Sequence, residues 1–324
     1  MSPLLESVPI GVLTGFLGSG KSTLLNGLLR SGSLPPTAII VNEFGEVAID
    51  HALIEGVTDG IMLLSSGCVC CAVRSDLEAA LRDLHLKRVR GLIPEYEAVI
   101  LETTGLADPG PVLQTLTSRP VREMRYRLGP VIATLDAQNG KTTLQSHHEA
   151  IRQIAICDRV ILTKTDLVPN PDALVALARE INPHAPIVQS GAEPTSEGIF
   201  GHSLLTDLPQ DREYPSDEHH HHLSGISSHG RLIEGLLDWD KVDLLVRNFL
   251  QRNGEHVLRF KALLRLRGID EVTALHGVHH SLYPPQLIPT PTAENISRIS
   301  LIGDHLDKSV AEAFLEDLAV AASA

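Results

Sequence analysis

Ile10-Gly11-Val12-Leu13-Thr14-Gly15-Phe16-Leu17-Gly18-Ser19-Gly20-Lys21-Ser22-Thr23 decides the fold. An apolar run leads into Gly15, residues 15–22 satisfy GxxxxGK[ST], and an amphipathic helical pattern follows over 22–30. Strand, Gly-rich loop and helix, in that order, make a phosphate cradle. Glycines at 15, 18 and 20 let the backbone wrap an anion with its N–H groups pointing inward, and the first turn of the helix adds positive potential. Lys21 is expected against the β and γ phosphates and the Ser22 hydroxyl on Mg²⁺, with Ser19 and Thr23 completing the nucleotide-binding set. A simple Gly-rich turn would require neither the Lys-Ser ending nor the apolar strand before it.

Outward from this motif, aliphatic runs at 10–13, 38–41, 61–64, 98–101, 131–135, 160–162 and 186–188 alternate with amphipathic segments such as 22–30, 76–85, 148–156 and 172–181. That alternation predicts crossover units and a mostly parallel sheet covered by helices on both faces. From 204 to 228 the chain turns to Pro, Asp, Ser, Gly and a His run, which cannot bury apolar area and reads as a linker. Beyond it come a strand at 231–233, a helix over 241–250, strands at 257–266, 272–280 and 296–302, and a helix from 308 to 321, a pattern of a small α+β domain with a mixed or antiparallel sheet. The fold class is therefore α/β, a P-loop NTPase domain with a mostly parallel helix-flanked sheet at 7–203, then the linker at 204–228, then a smaller α+β C-terminal domain at 229–324.

The length of 324 residues suits two domains. With 27 Lys plus Arg against 40 Asp plus Glu, the net charge of −13 repels a phosphate backbone, so nucleic acid is not expected as a partner. The N-terminus has no basic segment followed by an apolar one, and no apolar stretch reaches the ~18 residues that a bilayer demands, so no membrane association and a cytoplasmic location are expected.

Two further strand ends carry chemistry. In Leu101-Glu102-Thr103-Thr104-Gly105, a carboxylate leaving a strand can orient the water shell of Mg²⁺, and Gly105 can offer its N–H to a γ-phosphate. By itself this signal is weak, since a Glu after a strand is usually solvated. Thr163-Lys164-Thr165-Asp166 has the form of a base-recognition loop. The Asp166 carboxylate can accept both donors on the guanine edge, which adenine lacks, while the Lys164 stem lies along the base with its ammonium wet. Thr163 stands where Asn is more familiar, with a shorter hydrogen-bonding reach.

Three of four cysteines crowd into Gly67-Cys68-Val69-Cys70-Cys71. Soft thiols at this spacing suit Zn²⁺, Cu(I) or a similar ion better than a disulfide framework. They cannot complete a four-coordinate shell, and Glu43, Glu46, Asp50 and His51 are nearby candidates for the remaining ligand. Cys157, alone in an apolar stretch, reads as a small core residue.

The order GFLGSGKST, NEFGEVAID, GCVCC, ETTGLADPGP and LTKTD resembles the CobW-type P-loop GTPases, the metallochaperone branch related to the urease and hydrogenase nickel-insertion GTPases. The resemblance continues through Leu258-Arg259-Phe260-Lys261 and Leu275-His276-Gly277-Val278-His279-His280. It implies an Mg²⁺-dependent GTPase that binds zinc, or cobalt or nickel, through Cys68, Cys70 and Cys71, with Glu46 as carboxylate partner, and delivers the metal to a client metalloprotein. It also makes Asp50 a switch-loop residue sensing Mg²⁺ or the γ-phosphate, beside Lys21, Glu102 and Gly105. Some relatives carry a Glu before the Asn of NEFGE; Val41 stands there in this chain. A homodimer is compatible with this picture.

Because the thiol loop lies between the phosphate loop and Glu102, γ-phosphate contacts could order it in one state and release it after hydrolysis, so that nucleotide sets metal affinity. The alternatives are a regulatory GTP switch with structural cysteines and, against the presence of Asp166, a small-molecule kinase. The run His219-His220-His221-His222 is either an auxiliary metal collector or a solvated linker. Alternation along a strand would put His276 and His280 on one face, where surface or hydrogen-bonded roles are expected.

Overall fold

A computed structural model of the chain describes residues 7–41, 61–65, 73–190, 196, 200, 225–288 and 295–323. The chain divides into two compact units, 1–177 with 185–204, and 178–184 with 205–324.

The first unit follows the order β1 (Val8–Gly15), α1 (Lys21–Ser31), β2 (Thr37–Val41), β3 (Ile61–Ser65), α2 (Val73–Val89), β4 (Ala98–Glu102), α3 (Pro109–Leu116), α4 (Arg119–Glu123), β5 (Tyr126–Asp136), α5 (Gly140–Ser146), α6 (His148–Ile156), β6 (Arg159–Thr163), α7 (Asp172–Ile181) and β7 (Ile187–Gln189), the end of α7 counting with the second unit. The strands form a seven-stranded sheet in the order β3-β2-β4-β1-β5-β6-β7. Every pairing in it is parallel, as the alternation of runs and helices predicts. The aliphatic runs are continuous rather than alternating because both faces are covered: β2 is buried along its whole length, and β1 and β4 nearly so. Leu24, Leu25, Leu28 and Leu29 of α1 pack with Leu13, Ile39, Ile100, Ile132 and Ile161 from five strand positions. Each such side chain contributes roughly 1.5–3 kcal/mol on burial.

Several boundaries differ from the sequence reading for physical reasons. β5 starts at Tyr126 rather than 131, because Gly129-Pro130 passes through as a bulge: Ile10 pairs with Leu128 and Val12 with Val131. A Cβ at Gly129 would sit 3.1 Å from the Gly11 nitrogen, a tight fit that a larger residue could take only by pushing β1 aside slightly. Pro109 opens α3 with Asp108 as its cap, accepting from Gly110 N at 2.9 Å.

The second unit holds β8 (Ile226–Glu234), α8 (Trp239–Asn253), β9 (Val257–Leu264), β10 (Val272–Val278), β11 (Ser281–Leu282), β12 (Gln286–Ile288), β13 (Ile296–Asp304) and α9 (Lys308–Ser323). Its six-stranded sheet runs β11-β10-β9-β13-β8 with β12 on β10, and the strand pairings are antiparallel. β8 opens at Ile226, inside the segment read as linker. Phe260, Leu275, Ile299 and Leu301 of the sheet pack against Val246, Leu250, Leu315 and Leu318 of α8 and α9, with the Phe249 and Phe314 rings stacked at 3.9 Å. Among the described residues no helix is long and apolar enough to cross a membrane.

Candidate functional site

A parallel sheet sends the C-terminal ends of its strands to one edge, and in open α/β sheets that edge is where ligands bind. Gly15 ends β1, Glu102 ends β4, Asp136 ends β5 and Thr163 ends β6, so three separate sequence motifs and one further carboxylate meet there.

The phosphate loop runs from Gly15 to the start of α1 with Gly15, Gly18 and Gly20 at φ 138, 68 and 93. These are conformations that side chains resist. At Gly15 a Cβ would also press on the Thr134 hydroxyl, with the Thr134 carbonyl 2.6 Å away. Ser19 is buried, and its Oγ shares a 2.6 Å hydrogen bond with Thr134 Oγ1. Lys21 Nζ is held in the mouth of the loop, donating to the Gly15 carbonyl at 2.9 Å and the Phe16 carbonyl at 3.2 Å. Thr23 lies in the exposed part of the first turn of α1.

Ser22 Oγ donates to Glu102 Oε1 at 2.9 Å, although 80 residues separate them. Glu102 is only 5% exposed, so it is not the solvated carboxylate that usually ends a strand. A hydroxyl and a carboxylate converging at a helix N-terminus form the oxygen donor set that Mg²⁺ takes, so the residues fit that ion. Beside them Thr103 Oγ1 donates to Thr14 Oγ1 at 2.9 Å, and Gly105 abuts the phosphate loop, where a Cβ would lie 2.6 Å from Leu17 N.

Thr163 is 6% exposed and reaches further than its size suggests, its Oγ1 donating to the Ser19 carbonyl at 2.6 Å. The base-recognition loop is thereby tied to the phosphate loop. Lys164 adopts a left-handed backbone, φ 56, and its ammonium is not simply wet as the sequence suggests: Nζ lies 2.6 Å from Asp136 Oδ2. Asp136 also accepts from Gln138 N at 2.8 Å and from the Asn139 amide at 3.0 Å. Burial works against its charged form, but the Lys164 ammonium and these donors outweigh it and hold the carboxyl below its ordinary value. Asp166 lies exposed in the short 3-10 turn Thr165–Leu167, open to a ligand edge. A cavity of about 150 Å³ opens beside the phosphate loop, lined among others by Phe16, Ser19, Asp136, Asn139 and Lys164.

Asp136 is the residue that the motif reading missed. Its signal was available: an aliphatic run from 131 to 135 closed by a carboxylate, the same pattern that drew notice at Glu102. Glu43, Glu46, Asp50, His51, Cys68, Cys70, Cys71, His202 and the run His219-His220-His221-His222 lie outside the described residues. Cys157 is buried, its Sγ–H donating to the Ile154 carbonyl at 3.2 Å, a core role as expected.

In the second unit the histidine pattern does not hold as read. β10 ends at Val278, and His279 turns left-handed at φ 50, so strand alternation does not reach His280. His279 Nδ1 lies 3.1 Å from the Gly254 carbonyl and His280 Nδ1 2.9 Å from the Leu250 carbonyl. Carbonyls only accept, so both imidazoles carry a proton on Nδ1. Among the described residues no group of three or more His, Cys, Asp or Glu side chains is placed to hold a metal ion.

Residues 9–189 match the family described as CobW/HypB/UreG, nucleotide-binding domain, and residues 226–319 match the Cobalamin synthesis protein cobW C-terminal domain. The chain is 31% identical over 281 residues to Zinc chaperone YjiA of Escherichia coli, across 85% of this chain and 87% of that protein. It is 32% identical over 171 residues to Zinc-regulated GTPase metalloprotein activator 1 of Schizosaccharomyces pombe, across 51% of this chain and 40% of that one. A crystal structure of Zn(II)-bound YjiA GTPase from E. coli superposes with a TM-score of 0.74 at 26% identity, covering 97% of this chain and 99% of that chain.

Proposed function

The chain belongs to the CobW/HypB/UreG family of P-loop GTPases, and from that premise we propose that it hydrolyses GTP with Mg²⁺ to control a thiolate-held zinc ion that it hands to a client metalloprotein. The observation that carries the enzymatic half is the 2.9 Å Ser22–Glu102 hydrogen bond beside Lys21. It supports an Mg²⁺ held by the Ser22 hydroxyl, with Glu102 oriented toward its water shell. Mg²⁺ there would neutralise charge developing on the bridging phosphate oxygens. Lys21 then contacts the β and γ phosphates, the glycine-rich backbone cradles them, and the Gly105 N–H faces the terminal phosphate. Asp166 selects guanine, and the Thr163 bond to Ser19 carries base occupancy to the phosphate loop.

Zinc is the cargo by analogy with the proteins named zinc chaperone and zinc-regulated activator. Cys68, Cys70 and Cys71, with Glu46, are its proposed ligands, and Asp50 the proposed link between them and the γ-phosphate. Zinc affinity is measured for the parent chain and for Cys70→Ala, each with GDP and with a non-hydrolysable GTP analogue. The expected result is an affinity that depends on the nucleotide in the parent and falls about 100-fold in the variant, the loss of one thiolate from a thiol-rich site. Equal affinity in parent and variant would leave a GTP switch with structural cysteines.

A further inference from the structure

Gln153 on α6 is 1% exposed, and a buried primary amide costs free energy unless its donors are used. Both are used on one loop: Nε2 donates to the Gly105 carbonyl at 3.1 Å and to the Ala107 carbonyl at 3.1 Å. Carbonyl acceptors fix the orientation of the amide, since its oxygen could not bond to them. One residue earlier, Arg152 Nη1 lies 2.7 Å from Asp108 Oδ2, and Asp108 caps α3. Helix α6 thus grips the segment following Glu102 at residues 105, 107 and 108.

The opposite side of that segment meets the phosphate loop. A Cβ at Gly105 would fall 2.6 Å from Leu17 N and 2.8 Å from Leu17 Cα, so the turn is pressed to the closest approach that a glycine permits. Glycine also has the widest backbone freedom, and nothing in its own side chain fixes where its N–H points. The Gly105 N–H shares its peptide plane with the Thr104 carbonyl, which accepts from Ala107 N at 3.1 Å, and the carbonyls of Gly105 and Ala107 drawn toward α6 anchor that turn as a whole.

We propose that Gln153, supported by Arg152, is a positioning residue that holds the turn at Gly105 against the phosphate loop, so that the Gly105 N–H is aimed at the terminal phosphate before it arrives. This rests on the role given above to Gly105. Gln153 acts through the loop it holds: it spares that loop an ordering step that GTP, and not GDP, would otherwise have to drive. The device therefore distinguishes nucleotides by their third phosphate alone.

The test uses the full chain and Gln153→Met, which keeps side-chain length and removes both donors. Dissociation constants for GDP and for a non-hydrolysable GTP analogue are measured with Mg²⁺, together with single-turnover hydrolysis of GTP. GDP affinity is expected to stay within about twofold, while analogue affinity and hydrolysis rate each fall about tenfold, the effect of two neutral hydrogen bonds. A merely structural role would weaken both nucleotides alike, and that result, or no change, overturns the proposal. Arg152→Met, which opens no core, should shift the same ratio by about threefold, and it decides the matter should Gln153→Met not fold. Gly105→Ala separates the premise from the inference. If it leaves the GDP-to-analogue ratio intact, the role of Gly105 falls and this proposal with it. If it changes the ratio and neither α6 variant does, only the positioning role is lost.

Discussion

At the C-terminal edge of the first sheet, Lys21, Ser22 and Glu102 come from sequence positions far apart and turn toward one another across a loop whose backbone is shaped for an anion. In the second unit, His276, His279 and His280 sit close in sequence, the first two buried, and His279 and His280 turn onto carbonyls near the end of α8. The leading helix end is built to receive a ligand, whereas the trailing one is closed by the protein itself. Helix α8 leaves its last carbonyls without intrahelical partners, and imidazole N–H groups satisfy two of that region's acceptors. A residue type that suggests metal by composition is therefore spent on capping.

Lys21→Ala breaks this contrast most severely. It removes the Lys21 ammonium from the mouth of the phosphate loop, where it donates to the Gly15 and Phe16 carbonyls. GTP hydrolysis is expected to fall by about 100-fold or more, the scale on which a preorganised charge acts on a phosphoryl transition state. Steady-state phosphate release and a circular dichroism melt on the same sample check it. A lost rate with an unchanged melt sustains the contrast, and an unchanged rate removes Lys21 from the chemistry.

The difference in how the two regions read from sequence has the same origin. The phosphate loop was legible because backbone conformation and chemistry coincide there: glycines at 15, 18 and 20 are required by φ, and Lys-Ser by the anion. Parallel strands were legible because covering both faces makes the runs continuously apolar. Gln153 was illegible, since its partners are carbonyls 46 and 48 residues away and carbonyls leave no trace in residue type. Thr163 was underrated for the same reason, its worth lying in a 2.6 Å bond to the Ser19 backbone. The end of β10 was misplaced because His279 adopts a left-handed backbone that residue identity alone does not demand.

Acid sharpens the comparison, because Asp136 in the first unit and His184 in the second are held in opposite charge states. Asp136 in the first is kept charged by its partners, a contribution present above its ordinary value and lost only as pH falls through a still lower one. His184, counted with the second unit, is kept neutral: burial pushes it down to about 4 from 6.5, and the Lys261 ammonium adds to the effect. An unfolded chain takes up a proton at His184 near pH 6.5, while the folded one does not until about pH 4. Stability is therefore full above pH 6.5, falls by about 3 kcal/mol between there and pH 4, and then levels. Urea denaturation across this range, compared with His184→Gln, measures it, and the variant should lose that part of the slope. An identical slope in both would show that His184 is equally protonated in the two states.

His280→Ala gives the smallest expected effect and the most direct reading of the second region. The substitution deletes a 2.9 Å hydrogen bond to the Leu250 carbonyl in the last turn of α8 and leaves the packing of Phe249 on Phe314 in place. A single neutral hydrogen bond to a helix-end carbonyl contributes about 1 kcal/mol, so the denaturation midpoint should fall slightly. GTP turnover and zinc stoichiometry should both hold, because the imidazole proton that would have to leave for His280 to bind metal through Nδ1 is the one engaged by Leu250. Zinc lost in proportion to the substitution, with stability unchanged, would reverse the assignment and make the histidine corner a metal site after all. A small loss of stability with zinc retained leaves the chemistry at the edge of the first sheet and the second unit's imidazoles as fasteners.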